Sequence, residues 1–180
     1  MVYARRLTPV SRVAATVTVI DQARIETTLA TDIRELVRYE PGLSVRNDPF
    51  RFGLDTISVR GLGGNRVAVE VDGIPAAGGF AVGSYADSGR AYVDAAFVDR
   101  VEFLRGPASS LYGSDAIGGV VAMTTLTPES LLARGEGEFA VRTDAGFDSQ
   151  SDGWRAAALA AGAIGGTQWL VGYSRREGHE

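Results

Sequence analysis

The stretch ISVRGLGGNRVAVEVDGIP, residues 57–75, decides the fold class. Val67, Val69 and Val71 alternate with Ala68 and Glu70, the period of two that marks a strand with one face buried. ISVR before it reads as a strand that ends on Arg60-Gly61, and Asp72-Gly73 after it is a turn dipeptide. Its glycines do not make a dinucleotide loop. The third fingerprint position holds Arg66, and the segment leads into a strand where that motif demands a helix.

Upstream, TVTVI at residues 16–20 is a β-branched run ending at Asp21, a good N-cap for a brief helical turn through Glu26. From Ala30 to Tyr39, Ile33, Leu36 and Val37 recur at helical spacing, with Asp32 in the first turn and Arg38 in the last. Pro41 and Gly42 stop that helix, and LSVR at 43–46 reads as a strand. Downstream, Ile74 to Tyr92 is rich in glycine and alanine and has no period, which predicts a long loop; such loops in compact domains are usually functional or disordered. Order returns at DRVEFLR (99–105), continues through GPASSLYGSDAIGG and reaches the strand VVAMTT (120–125). The first unit of organisation ends near Thr127-Pro128.

The last third has another texture. In residues 138–148, Phe139, Val141, Thr143, Ala145 and Phe147 share one parity, and Arg142, Asp144, Gly146 and Asp148 share the other. Trp154 to Ala163 repeats the pattern more weakly after the turn signal SQSDG. Gly165-Gly166 make a further turn, and Gln168 to Arg175 puts Trp169, Val171 and Tyr173 on one side. Three strands of roughly ten residues form an antiparallel meander, as in a soluble sandwich or in an outer-membrane barrel.

Composition narrows the function. The chain has 180 residues, 18 basic against 22 acidic and a formal charge of −4. Every basic residue is an arginine, and none lie in a run that would follow a nucleic-acid backbone, so nucleic acid is excluded as a partner. No cysteine is present, which rules out disulfides and thiolate metal sites while leaving the compartment open. The longest apolar run, Ala156 to Gly166, is far short of a spanning helix, which needs about 18 to 20 residues. The N-terminus does not read as a signal peptide, so any export signal is expected upstream or already removed. Glycine, 23 residues or about 13%, is nearly twice its average usage of about 7%. Catalysis finds no base or nucleophile pair: His179 is the one histidine, either a haem or metal ligand or a solvated residue near the end, the second being favoured. The strand-end residues Arg60 and Arg105 read as exposed charges or as forks aimed at carboxylates, and the sequence by itself favours the first. Tyr85 and Tyr92 either touch a ligand or anchor their loop by packing.

Taken together, VTVI (17–20), PGLSV (41–45), ISVRGLGGNRVAVEVDGIP (57–75) and DRVEFLRGPASSLYGSDAIGGVVAMTT (99–125) resemble, in order and spacing, the plug domain of TonB-dependent outer-membrane receptors. The continuation, TTLTPESLL, VRTDAGFDSQSDGWR and SRREGHE, is similar to the start of the barrel in the haem and haemoglobin branch of that family.

The resemblance implies an α+β plug domain, a small mixed sheet with short helices, at residues 1–127. A linker (128–135) and the first three antiparallel strands of an incomplete transmembrane β-barrel (136–180) would follow. It implies that Arg60 and Arg105 pair with barrel glutamates and lock the plug. It nominates the outward loops 47–55 and 74–92 for ligand contact, with Phe50, Phe80 and Tyr85 as candidates. Val2, Tyr3 and Ala4 resemble only the trailing end of the box on which TonB pulls by strand addition. Haem or another iron complex is the expected cargo, with no covalent cofactor and no metal site. The expected partners are TonB, haem or haemoglobin or another iron carrier, and outer-membrane lipid. A siderophore or cobalamin receptor, and a stand-alone soluble plug-like module, are the alternatives; an enzyme is not expected. A 22-stranded barrel needs more than about 220 residues of strand, so the chain is expected to be the front piece of a longer receptor.

Overall fold

A computed structural model describes residues 2–3, 7–8, 16–28, 30, 33–45, 57–76, 78, 81–82, 86–87, 93–135, 137–149 and 152–177. The chain divides into two compact units, Met1–Thr124 and Thr125–Glu180.

The first unit opens with two short paired strands, β1 (Val2–Tyr3) and β2 (Leu7–Thr8). β3 (Thr16–Asp21) leads directly into helix α1 (Gln22–Thr28). Asp21 caps that helix by accepting from the Arg24 amide at 3.0 Å. Thr27 and Thr28 carry α1 past the expected Glu26, their hydroxyls bonding back to the Ala23 and Arg24 carbonyls. The second helix, α2 (Ile33–Val37), is shorter than the periodic stretch predicted. Its last turn tightens because the Glu40 amide bonds the Val37 carbonyl, and the Leu43 amide in turn bonds the Glu40 carbonyl. The chain then forms β4 (Leu43–Val45), which pairs antiparallel with β5 (Ile57–Val59).

β6 (Val67–Val71) and β7 (Ile74–Pro75) form the hairpin announced by Asp72-Gly73, both residues lying in the left-handed region at φ 51° and 77°. The glycine- and alanine-rich stretch beyond it is not wholly loop: β8 (Ala81–Val82) pairs with β9 (Ala86–Asp87). Strands this short leave no period to read. β10 (Val98–Arg105), the short helix α3 (Ser109–Tyr112) and β11 (Gly119–Thr125) complete the unit.

The central sheet has the order β3-β10-β11-β6-β7, with β3 antiparallel to β10 and β6 parallel to β11. Alternation splits its residues between two cores. Ile20, Val67, Val69, Val101, Phe103, Val121 and Met123 join Ile25, Ile33, Leu36 and Val37 of the helices in the larger cluster. Leu104, Ala108, Ala116 and Val120 make the smaller one. Glu70 therefore departs from the one-face reading of VAVEV, since it is buried on the second covered face. Gly119 is required by close approach, because a Cβ there would stand 2.3 Å from the Leu104 carbonyl oxygen.

In the second unit, residues 128–135 contain a helix, α4 (Pro128–Leu132), opened by a reciprocal capping box between Thr127 and Ser130 with proline in the first turn. β12 (Phe139–Asp148), β13 (Gly153–Ile164) and β14 (Thr167–Glu177) follow as an antiparallel meander. The mixed sheet with short helices and the open barrel-like strands are the architecture that the sequence leads one to expect.

Candidate functional site

Two features of the described residues could carry function: a polar cluster in the first unit and an uncovered apolar face in the second.

The cluster is built on Glu40, the residue before Pro41-Gly42. The register of β3 on β10 places Thr16 opposite Arg105 and Thr18 opposite Phe103, so Thr18 is the diagonal neighbour of Arg105 on one sheet face. The Arg105 guanidinium donates to Thr18 Oγ1 at 2.8 Å and to Glu40 Oε2 at 3.1 Å. Thr18 donates to the same carboxylate oxygen at 3.2 Å, and Arg24 donates to Glu40 Oε1 at 2.6 Å. Both Arg105 and Glu40 are about nine-tenths buried, at 9% and 11% side-chain exposure. Burial alone would raise the Glu40 carboxyl. The Arg24 hydrogen bond and charge, with the bonds from Thr18 and Arg105, outweigh it and hold the group below its ordinary value of 4.5.

Arg60 sits at the same turn in a different way. It occupies the left-handed region at φ 51°, followed by Gly61 at φ 82°, at the tip of a two-residue hairpin closed by Val59 and Leu62. Its amide bonds the Gly42 carbonyl at 2.7 Å. Its stem lies over Gly42, where a Cβ would be 3.4 Å from Arg60 Cγ. The side chain is exposed, and among the described residues no hydrogen bond or ion pair to its guanidinium occurs. The structure thus gathers both predicted arginines around Glu40 to Gly42, one engaged and one facing outward.

Glu40, Arg24 and Thr18 were not singled out from the sequence. Thr18 and Arg105 are 87 positions apart, and Glu40 and Arg105 are 65 apart. No local pattern reports such a meeting. Phe50, Phe80 and Tyr85, like Ala4, Tyr92 and His179, lie outside the described residues, while Val2 and Tyr3 form β1. Among the described residues no group of acidic, histidine or cysteine side chains could hold a metal ion, and no helix is long and apolar enough to cross a membrane.

In the second unit, α4 packs against the meander, and Leu131, Leu159 and Ala161 are buried. Arg142 and Asp144, on the same sheet face as Leu159, pair at 2.9 Å. Among the described residues nothing covers the opposite face. Phe139, Val141, Phe147, Trp154, Ile164, Val171 and Tyr173 stand 41 to 73% exposed on it. Aromatics mark both ends. Trp169 lies across Gly162, where a Cβ would strike the indole at 2.5 Å, and its ring centroid is 6.1 Å from that of Phe139. At the far end, Phe147 pairs with Trp154, over which the Arg175 guanidinium sits 5.8 Å from the ring. Phe139 and Phe147 bound β12, and at roughly 3.3 Å per residue the strand between them runs about 26 Å, or about 20 Å of height at a tilt near 40°. That is close to the apolar band of an outer-membrane barrel, about 25 Å.

A covered mixed sheet followed in sequence by open strands with an aromatic-bounded apolar face defines a two-part architecture, a compact domain and barrel-like strands. The TonB-dependent receptor plug domain model matches residues 9–120, and the chain belongs to that family. It is 33% identical over 147 residues to the vitamin B12 transporter BtuB of Vibrio vulnificus (strain CMCP6), covering 80% of this chain and 22% of that protein. It is 31% identical over 157 residues to transferrin-binding protein A of Haemophilus influenzae (strain ATCC 51907 / DSM 11121 / KW20 / Rd), covering 83% of this chain and 17% of that one. Among solved structures, the FrpB iron transporter from Neisseria meningitidis (F3-3 variant) superposes with a TM-score of 0.68 at 25% identity, over 89% of this chain and 23% of that one. The chain spans about a fifth of the length of the relatives it matches.

Proposed function

We propose that the chain is the N-terminal part of a TonB-dependent outer-membrane receptor that imports iron held in haem or haemoglobin. The observation that carries the membrane part of this reading is the bare apolar face of β12 to β14 with aromatics at both ends, since an open sheet of that kind is stable only when a barrel closes around it and lipid covers it. The uptake part is supported by the plug family and by relatives whose names include a vitamin B12 transporter, a transferrin-binding protein and an iron transporter.

The mechanism follows from the two units. Ligand would bind at the outer face of the plug, where the loops holding Phe50, Phe80 and Tyr85 are the proposed contacts. TonB would pair with an extended N-terminal segment and pull. Of the two predicted lock residues, Arg60 would meet a barrel carboxylate and keep the plug seated, a reading supported by its exposed side chain at a hairpin tip, whereas Arg105 is already bonded to Glu40 and Thr18 within the plug. Nothing in this scheme calls for catalysis, and the protein acts as a transporter and not as an enzyme.

Haem is favoured over other cargo by the likeness of residues 124–132, 141–155 and 174–180 to the haem and haemoglobin branch. Titrating the complete receptor with haem and following the Soret band tests it: a saturable shift, or haemoglobin binding, is expected. Binding of a ferric siderophore or cobalamin, with no response to haem, would transfer the protein to the alternative cargo class.

A further inference from the structure

β3 is the edge strand of the plug sheet and is entered directly from the N-terminal side of the chain. Its apolar hold is slight: of its six residues only Ile20 is fully buried, while Thr16 and Asp21 are exposed. Yet its Thr18 hydroxyl is tied into the Glu40 cluster, which joins four segments: β3, α1 through Arg24, the turn before β4 through Glu40, and the end of β10 through Arg105. Glu40 is the one member that touches all three of the others. A further feature singles out Arg105: its Nε is buried and has no partner among the described residues, so the fork spends its contacts on Thr18 and Glu40 only.

We propose that Glu40 is the keystone of a clasp that fastens the edge strand β3 to the plug, so that β3 opens as a local unit when the Thr18–Glu40–Arg105 contacts are released. Opening that begins at Thr16 reaches the clasp at Thr18, before it reaches the buried Ile20 or the Asp21 cap of α1. With the clasp closed, the first residues to leave must break charge-assisted bonds at a partly buried site. With it open, edge-ladder bonds and the partial packing of Val17 on the smaller core are what stand between Thr16 and Ile20. Local opening of this kind needs no loss of the central strands, since β10, β11 and β6 keep both of their cores. The clasp stands on the geometry of the plug; its use as the first element to yield under a pull from the N-terminus rests on the function proposed above.

Amide hydrogen exchange on the intact chain in detergent micelles tests it without ligand or TonB. In Glu40→Gln those amides of Val17 to Asp21 that bond to β10 are expected to exchange faster by about tenfold to a hundredfold, while those of Val67–Val71 and Val120–Thr124 keep their protection. Thr18→Val, which suits a strand and leaves the ion pairs in place, should give a smaller rise confined to the same amides. In the double variant the two effects should be less than additive, because both remove one cluster. Wild-type exchange at β3 in Glu40→Gln would overturn the proposal. So would a rise shared equally by β3, β6 and β11, which means that the plug as a whole was weakened. If Glu40→Gln does not fold, Thr18→Val decides alone by the same two criteria. None of these readouts depends on cargo, so the clasp and the uptake reading fail separately.

Discussion

The five-stranded plug sheet and the three-stranded meander are written in the same alternating code and solve opposite problems. In the plug sheet, both parities are covered: Phe103 and Val101 face one core, and Leu104 and Val120 the other, all nearly inaccessible to solvent. In the β12–β14 meander, one parity rests on α4 and the other is bare. A bare apolar face is a fault in water and a requirement in lipid. The difference teaches that alternation reports how many faces a strand has, and that only the surroundings say which solvent each face meets.

The sharpest way to break the comparison is a paired truncation. Phe103→Ala, from a side chain 0% exposed, should cost the plug about 3–5 kcal/mol in any solvent, read as a drop in the denaturant midpoint. Phe147→Ala, from one 67% exposed, should change stability by no more than about 0.5 kcal/mol in detergent-free buffer. Equal losses at both sites would mean that the meander face is a protein core. Next in size is Val171→Arg, near the middle of the exposed face and 66% exposed. It should cost about 2–4 kcal/mol for the receptor folded into vesicles, and close to nothing without a bilayer. An equal effect in both media would remove the lipid-facing assignment.

The polar cluster sharpens the comparison from within the plug. The folded-state pKa of Glu40 is lowered from its ordinary 4.5, so the carboxylate contributes stability in full above that value and loses it as pH falls through the depressed folded value. Glu40→Gln should therefore destabilise the plug by about 1–3 kcal/mol at pH 7. The gap between the two proteins should narrow on acidification below about 4.5. Urea midpoints measured from pH 7 to pH 3 check this. A gap that stays constant across the range would mean that the ion pairs add nothing to the folded state.

Strand positions, the turn at Asp72-Gly73 and the parity of the last three strands were legible because each rests on residues near one another in sequence. Val67, Val69 and Val71 announce one core face by themselves. The burial of Glu70 was not legible, because the cover on its face comes from elsewhere in the chain. The same holds for the site. Arg60 and Arg105 could be singled out as strand-end forks, whereas the partner of Arg105 could not. Glu40 reaches it only because β3 lies beside β10 and the α2–β4 turn folds over their end. Short strands such as β8 and β9, two residues each, fall below any period and leave no strand signal in the sequence.

The smallest expected effect separates the two arginines. Arg60 holds a left-handed backbone that costs a non-glycine residue about 1 kcal/mol, and its side chain is exposed. Arg60→Gly relieves that conformation while adding freedom to the unfolded chain, and the two terms oppose each other. The plug's denaturant midpoint should consequently move by the equivalent of less than about 1 kcal/mol. Arg105→Gly, by contrast, strips Glu40 and Thr18 of a buried partner and belongs with the larger losses. A large loss from Arg60→Gly in the isolated plug would show that its guanidinium already has a structural partner there, and the outward-facing arm would have to be sought elsewhere. A silent substitution in the plug that loosens the plug inside the closed receptor would instead place the Arg60 contact on the barrel wall.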